Sequence, residues 1–152
     1  MEKIQDNNAL CFKKMLKVGT PVLGIDYGEV RIGVAISDIR LVIASPWKIV
    51  AYLKDFEPLI KEVSPSGAVI GLPKQMDGTE GERAKAARLF GKAFEEKYNL
   101  PVFFWDERLS SKGVQRDMID VFNLSRKKRK KIIDKSAASY ILQGALDYLN
   151  RL

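Results

Sequence analysis

Acidic side chains stand where strands end or a helix begins in this 152-residue chain. Asp26 closes the apolar run "VLGID", Asp106 and Glu107 follow "PVFFW", and Asp134 opens "DKSAASYILQGAL". The chain has no histidine and one cysteine, Cys11. Histidine-based triads and histidine acid–base chemistry are therefore excluded, as is an internal disulfide. Carboxylates repel one another unless a cation or protons relieve them. If these acids meet, an oxygen-ligated hard ion, Mg²⁺ or Mn²⁺, is the cofactor that suits them. Two such ions stabilise both the attacking and the leaving oxygen of a phosphodiester displacement. Each acid also has a structural alternative. Asp134 fits a helix N-cap, Asp26 an Asx turn, and Asp106 or Glu107 an ion pair with Arg108.

The elements that must position these acids read from periodicity. Val22 to Asp26 and Arg31 to Ser37 form strands joined by a short turn containing Gly28, a hairpin pattern. Leu41 to Ala44 reads as a third strand ended by Ser45-Pro46. Asp55 is the expected N-cap of a helix bearing Phe56, Leu59, Ile60 and Val63. Ala68 to Leu72 is a continuous apolar strand of the kind covered on both faces, and Pro73 stops it. After the polar loop "KQMDGTEG", a helix is expected from about Glu82 to Tyr98, closed by Asn99. Pro101 to Trp105 forms the last strand. Helices follow over roughly Ser110 to Val121 and Asp134 to Arg151, the latter with Ala138, Ile141 and Ala145 on the face of Asp134.

This order predicts an α/β domain. Its mixed five-stranded sheet has three antiparallel strands followed by two parallel ones, with helices on both faces. Ligands of open α/β sheets bind beyond the carboxyl ends of the parallel strands, where Asp26, Asp106 and Glu107 lie. Residues 1–19 read as an N-terminal extension, with helical character near Leu10 to Leu16. Residues 20–152 form a single domain.

Lys and Arg number 26 against 19 Asp and Glu, a net charge of +7. The run "SRKKRKK" concentrates basic residues in Ser125 to Lys131. A polyanion, nucleic acid first, is the expected partner, with Lys127, Lys128, Arg129, Lys130 and Lys131 contacting phosphates without reading sequence. No apolar run approaches the roughly 20 residues that span a bilayer. "ALCF" is too short for a signal-peptide core, and a cytoplasmic setting without membrane is expected. Phe103, Phe104 and Trp105 read as core rather than as a stacking platform.

Together, "GIDYGEVRIGVAISD", "GLP…DG", "DERLSS" and "SRKKRKKIIDKSAASYILQ" resemble the YqgF (RuvX) family, from about Val22 to Leu149. The resemblance implies an RNase H-like fold and nuclease activity. The implied task is maturation of the 5′ end of 16S rRNA in the bacterial cytoplasm, within ribosome assembly. It also implies that Asp26, Glu107 and Asp134 are the catalytic acids and hold one or two Mg²⁺ or Mn²⁺ ions. Gly28, Arg31 and Arg108 are then expected to face the substrate phosphate, beside the basic run. The chain departs from the family pattern at Val30, where a lysine often precedes the arginine, and in "DERLSS" for a "DERLTT"-like motif. Precursor rRNA is the first expected substrate, and a four-way DNA junction, cut by a monomer or homodimer, the second. Alternatives are a non-catalytic nucleic-acid-binding factor and a phosphotransferase with an actin-like sheet, although 152 residues leave little room for a second nucleotide-closing lobe.

Overall fold

The structure, a computed structural model, describes the backbone of residues 2–109 and 126–152 and the side chains of residues 7–109 and 137–152. Five strands form one sheet: β1 (Val22–Asp26), β2 (Ile32–Ser37), β3 (Ala44–Val50), β4 (Gly67–Leu72) and β5 (Val102–Asp106). Their spatial order is β3-β2-β1-β4-β5, antiparallel across the first three and parallel from β1 to β4 to β5. This is the expected mixed α/β sheet. Four helices are described: α1 (Glu2–Met15), α2 (Phe56–Val63), α3 (Glu82–Tyr98) and α4 (Arg126–Asn150). The helix expected over Ser110 to Val121 lies outside the described residues.

Strand alternation divides the core into two layers. On one face Val22, Val69, Phe103 and Trp105 pack with Phe12 of α1 and with Ala138, Ile141, Leu142 and Ala145 of α4. On the other, Leu23, Ile25, Ala68 and Ile70 meet Phe56 and Leu59 of α2 and Phe90 and Phe94 of α3. β1 and β4 are buried on both sides, which is why their sequences lack polar alternation. Phe103 and Trp105 are core, as expected, while Phe104 packs beside the second layer under the Arg88 guanidinium, 5.1 Å from the ring centroid.

Two glycines set how closely α4 approaches the sheet. A Cβ on Gly24 would lie 2.5 Å from Leu142 Cβ and 2.9 Å from the Ala138 carbonyl oxygen. A Cβ on Gly71 would strike the end of the Ile141 side chain and stand 2.5 Å from Glu107 Oε1. At the far end of α4, Lys13 Nζ donates to the carbonyls of Leu149 (2.9 Å) and Leu152 (3.1 Å). A cation there satisfies carbonyls that the helix leaves open. Lys13→Ala should therefore lower stability by about 0.5–1 kcal/mol, read as a lower denaturation midpoint at unchanged m value.

Two expected boundaries shift, and one expected cap bonds elsewhere. The third strand is Ala44–Val50 rather than Leu41 to Ala44, and it runs through Ser45-Pro46. Pro46 is tolerated because β3 is an edge strand, and the register slips beside it, between Val34 and Ala35. The apolar "LVI" instead lies in the β2–β3 turn, where Asp38 accepts hydrogen bonds from the Val42 and Ile43 N–H groups (2.8 and 2.9 Å) and Leu41 takes a φ of 60°. Asp55 stands at the N-cap position of α2, as expected, but its side chain makes no capping hydrogen bond. It ends a preceding 3-10 turn and its carboxylate turns back to the N–H groups of Ala51 and Tyr52 (3.2 and 2.9 Å). Finally, α4 starts at Arg126, so Asp134 lies about two turns inside the helix and is not its N-cap. The residues from Arg126 to Asp134 include neither Gly nor Pro, so nothing local stops the helix from extending through the basic run.

Candidate active site

The carboxyl edge of the parallel strands gathers the loops that carry the predicted residues. β1 alternates Val22, Gly24 and Asp26 on the α4 face. The β1–β4 register runs from Val22↔Gly67 to Ile25↔Ile70, so Asp26 comes level with Gly71 on the neighbouring strand, about 4.8 Å away. Glu107, in the 3-10 turn Glu107–Leu109 after β5, brings its Oε1 over Gly71 on that same face. Asp26 and the Glu107 carboxylate thus share one face and one edge, in adjacent columns of the sheet. The missing Cβ of Gly71 is what leaves room for Glu107.

Asp106 is excluded from this pair by strand alternation. It follows Trp105, which points into the α4-side core, so Asp106 points the other way. There both its oxygens accept from Arg108, Nη2 at 2.7 Å and Nε at 3.1 Å, and the Arg108 N–H adds a bond of 3.0 Å. Burial alone would raise the Asp106 carboxyl, but the side-chain and backbone hydrogen bonds and the charge of Arg108 together hold it below its ordinary value. A depressed folded-state pKa stabilises the protein above the unfolded value and ceases to do so as pH falls through the folded value. Asp106→Asn should therefore lower the melting temperature at pH 7, and the difference from the parent should close as pH drops below the ordinary carboxylate range. Parallel melting curves from pH 7 to pH 2.5 check this.

Gly28 sits in the turn after Asp26 because a Cβ there would lie 2.5 Å from the Arg31 carbonyl oxygen. The turn returns the chain to β2 with Gly33 opposite Asp26 and Arg31 directly before the strand. The loop from Pro73 to Gly81 is folded on itself. Gln75 N–H donates to the Thr79 carbonyl (2.8 Å), and Thr79 donates through N–H and Oγ1 to Asp77 (3.0 and 2.6 Å). The Thr79 hydrogen bonds hold the Asp77 carboxyl below its ordinary value. Beside this loop opens a cleft of about 500 Å³ lined by Lys74, Arg83, Glu107 and Arg108. A second cleft, of about 360 Å³, lies against Tyr27, Gly28 and Val30.

The side chains of Asp134, Lys127, Lys128, Arg129, Lys130 and Lys131 lie outside the described residues. The course of α4 is nevertheless informative. Its C-terminal half reaches the opposite edge, where Asn150 and Gln143 donate to the carbonyls of Leu41 and Val42 (2.9 and 2.8 Å). The helix therefore runs antiparallel to β1. From Ala138, beside Gly24, one more turn toward its start carries the backbone of residue 134 about 5.4 Å toward the edge that Asp26 occupies. Among the described residues there is no group of three acidic, histidine or cysteine side chains suited to a metal. Two oxygen donors on one face, with the space above Gly71 kept free of a Cβ, nonetheless fit a hard cation.

Lys74 and Arg83 line the clefts but do not stand out in the sequence. Nothing about Arg83 in "GERAKAARLF" marks it; only the packing of α3 beside the Asp26 turn does.

Known proteins share this fold. "T. thermophilus RuvC in complex with Holliday junction substrate" superposes with a TM-score of 0.52 at 12% identity, covering 85% of this chain and 94% of that one. The yeast mitochondrial Holliday junction resolvase Ydc2 gives 0.50 at 13% identity, with 96% and 87% covered. At such identities these likenesses establish the RNase H-like fold. In sequence, a Caulobacter vibrioides protein named "Putative pre-16S rRNA nuclease" is 47% identical over 138 residues, 86% of this chain and 88% of its own. A Rhodospirillum rubrum protein of the same name is 42% identical over 146 residues, covering 92% and 91%. Residues 20–148 match the family described as "RuvX: Holliday junction resolvase", and the chain belongs to that family.

Proposed function

We propose that the protein is a metal-dependent nuclease that hydrolyses phosphodiester bonds in the 16S rRNA precursor, maturing its 5′ end. The observation that carries this reading is that Asp26 and Glu107 share one face of the carboxyl edge, with Glu107 seated over Gly71 beside the Asp26 strand. Family membership supports the nuclease activity, and the names of the relatives support the substrate.

Asp26, Glu107 and Asp134 are the residues that would hold one or two Mg²⁺ or Mn²⁺ ions. Such ions would supply charge neutralisation at the phosphate and a lowered pKa for a bound water. The protein's own contribution is rigidity and charge. Asp26 is carried by the central strand β1, whose other residues are buried, so its backbone has little freedom. Glu107 is seated over Gly71 and cannot rise without leaving the contact with the sheet. Gly28 keeps the turn after Asp26 low, so that a phosphate can approach Arg31. Arg108 is braced by Asp106 on one side of the cleft that Glu107 lines. The basic start of α4, with Lys127, Lys128, Arg129, Lys130 and Lys131, would hold the flanking backbone by charge alone. Among the described residues no helix is long and apolar enough to cross a membrane. We place the protein in the bacterial cytoplasm, where precursor rRNA is assembled into ribosomes.

The deciding experiment offers a pre-16S rRNA fragment and a four-way DNA junction side by side, with Mg²⁺ or Mn²⁺ titrated into each. Cleavage of the RNA at the 5′ boundary of 16S is expected. Cleavage of the junction alone would replace this reading with resolvase activity.

A further inference from the structure

We propose that Arg83, at the start of α3, is a phosphate-binding residue of this same site and grips the nucleic-acid strand on the α3 side of the sheet edge. The assignment rests on the nuclease reading above. Three observations point to it.

The first is position. Arg83 lines the 500 Å³ cleft together with Glu107 and also the 360 Å³ cleft beside Gly28, in the turn that follows Asp26. It is the residue common to both linings, so it bridges the loops that leave the two described acids. Clefts of this size admit a nucleotide-sized group.

The second is charge. The neighbouring cations are engaged by carboxylates: Arg88 by Glu80 at 2.6 Å, Arg108 by Asp106 at 2.7 Å and Lys85 by Glu82 at 3.8 Å. Arg83 is exposed, and among the described residues it has no carboxylate partner. Its planar fork can meet a phosphate with two donors, and no internal ion pair has to break first. Lys74 also lines the larger cleft, and its charge already acts on Asp106 and Glu80.

The third is the course of α4. The basic run begins α4, whose core contacts from Ala138 onward lie on the opposite face of the sheet from α3. A strand held only there would be anchored on one side of Asp26 and Glu107. Arg83 supplies the second anchor, so the scissile phosphate is held between two grips.

Anisotropy of a fluorescent single-stranded oligonucleotide, taken from the precursor's 5′ leader, tests this. Binding is measured across a salt series in Asp26→Asn protein, with and without Arg83→Gln or Arg83→Lys. Removing one phosphate contact should reduce the slope of log K against log salt by about 0.7. Arg83→Gln should show that loss and a weaker affinity, and Arg83→Lys should keep most of the slope. In the enzyme with Asp26 intact, Arg83→Gln should raise KM and leave kcat nearly unchanged. A merely solvated arginine would move neither slope nor KM. An unchanged slope in Arg83→Gln, while the Arg83 protein binds and cleaves, overturns this assignment alone. Absence of binding by the Arg83 protein overturns the nuclease reading and the assignment with it.

Discussion

Asp26→Asn should lower kcat for precursor cleavage about a thousandfold or more while leaving the fold and RNA binding intact. The amide has nearly the carboxylate's volume, and Asp26 is only half-buried at the end of β1, so packing is undisturbed. What changes is one negative charge at the carboxyl edge, the charge that a hard cation requires. Single-turnover kinetics at saturating enzyme separate this loss from weaker binding, and a thermal melt confirms the fold. Asp106→Asn provides the contrast. Asp106 lies on the other face and braces Arg108, so its loss should move cleavage far less than that of Asp26. Equal losses for the two variants would mean that strand alternation does not decide which acid acts.

Gly24→Ala and Gly71→Ala should fail in different ways. Both glycines lie beneath α4, but they face different atoms. At Gly24 the added methyl meets Leu142 Cβ at 2.5 Å and the Ala138 carbonyl oxygen at 2.9 Å, atoms that cannot move unless the helix moves. Lifting a packed helix costs about 1–3 kcal/mol, and this site belongs at the upper end. At Gly71 the added methyl meets the tip of Ile141 and Glu107 Oε1, both ends of flexible side chains. The fold should give way cheaply there, but Glu107 must leave its seat. A displacement of about 1 Å can cost about a hundredfold in rate, so Gly71→Ala should lose activity out of proportion to its small loss of stability. Denaturation midpoints and kcat measured on both variants test the separation. A Gly71→Ala enzyme with full activity would remove Glu107 from the site.

The sheet and its edge were largely legible in the sequence. Continuous apolar runs gave β1, β4 and β5, the first and last of them ending in acids, and the alternation within β1 places Asp26 on the α4 face. α3 matched its expected span because Asn99 takes a left-handed φ of 53° at its end, as that residue type does. The misread elements depended on neighbours rather than on local pattern. β3 passes through Pro46 because it is an edge strand, and being an edge is a property of the whole sheet. Asp55 does stand at the N-cap position of α2, but its carboxylate satisfies the turn before the helix, which spacing alone does not show. The start of α4 was misplaced because a charged run resembles a loop, although Lys and Arg are good helix formers. α1 gave no clean periodicity, yet Phe12 stacks on Phe103 at 5.5 Å in the core.

At the site, residue types and spacing supplied the acids, and only the family resemblance chose Glu107 over Asp106. Asp106 and Glu107 are adjacent and chemically alike. What separates them is that a strand sends neighbouring residues to opposite faces, and that Gly71 makes room for only one of them. Arg83 could not be read at all, because its two clefts form only when α3 packs beside the hairpin turn.

Mn²⁺ binding tests the central claim most directly, that Asp26 and Glu107 together serve a divalent cation. Paramagnetic titration of free Mn²⁺ against the wild-type protein, Asp26→Asn and Glu107→Gln requires no substrate and no turnover. Saturable binding to the wild type that is lost or strongly weakened in each variant is the predicted result. Binding of equal strength in all three proteins would contradict it.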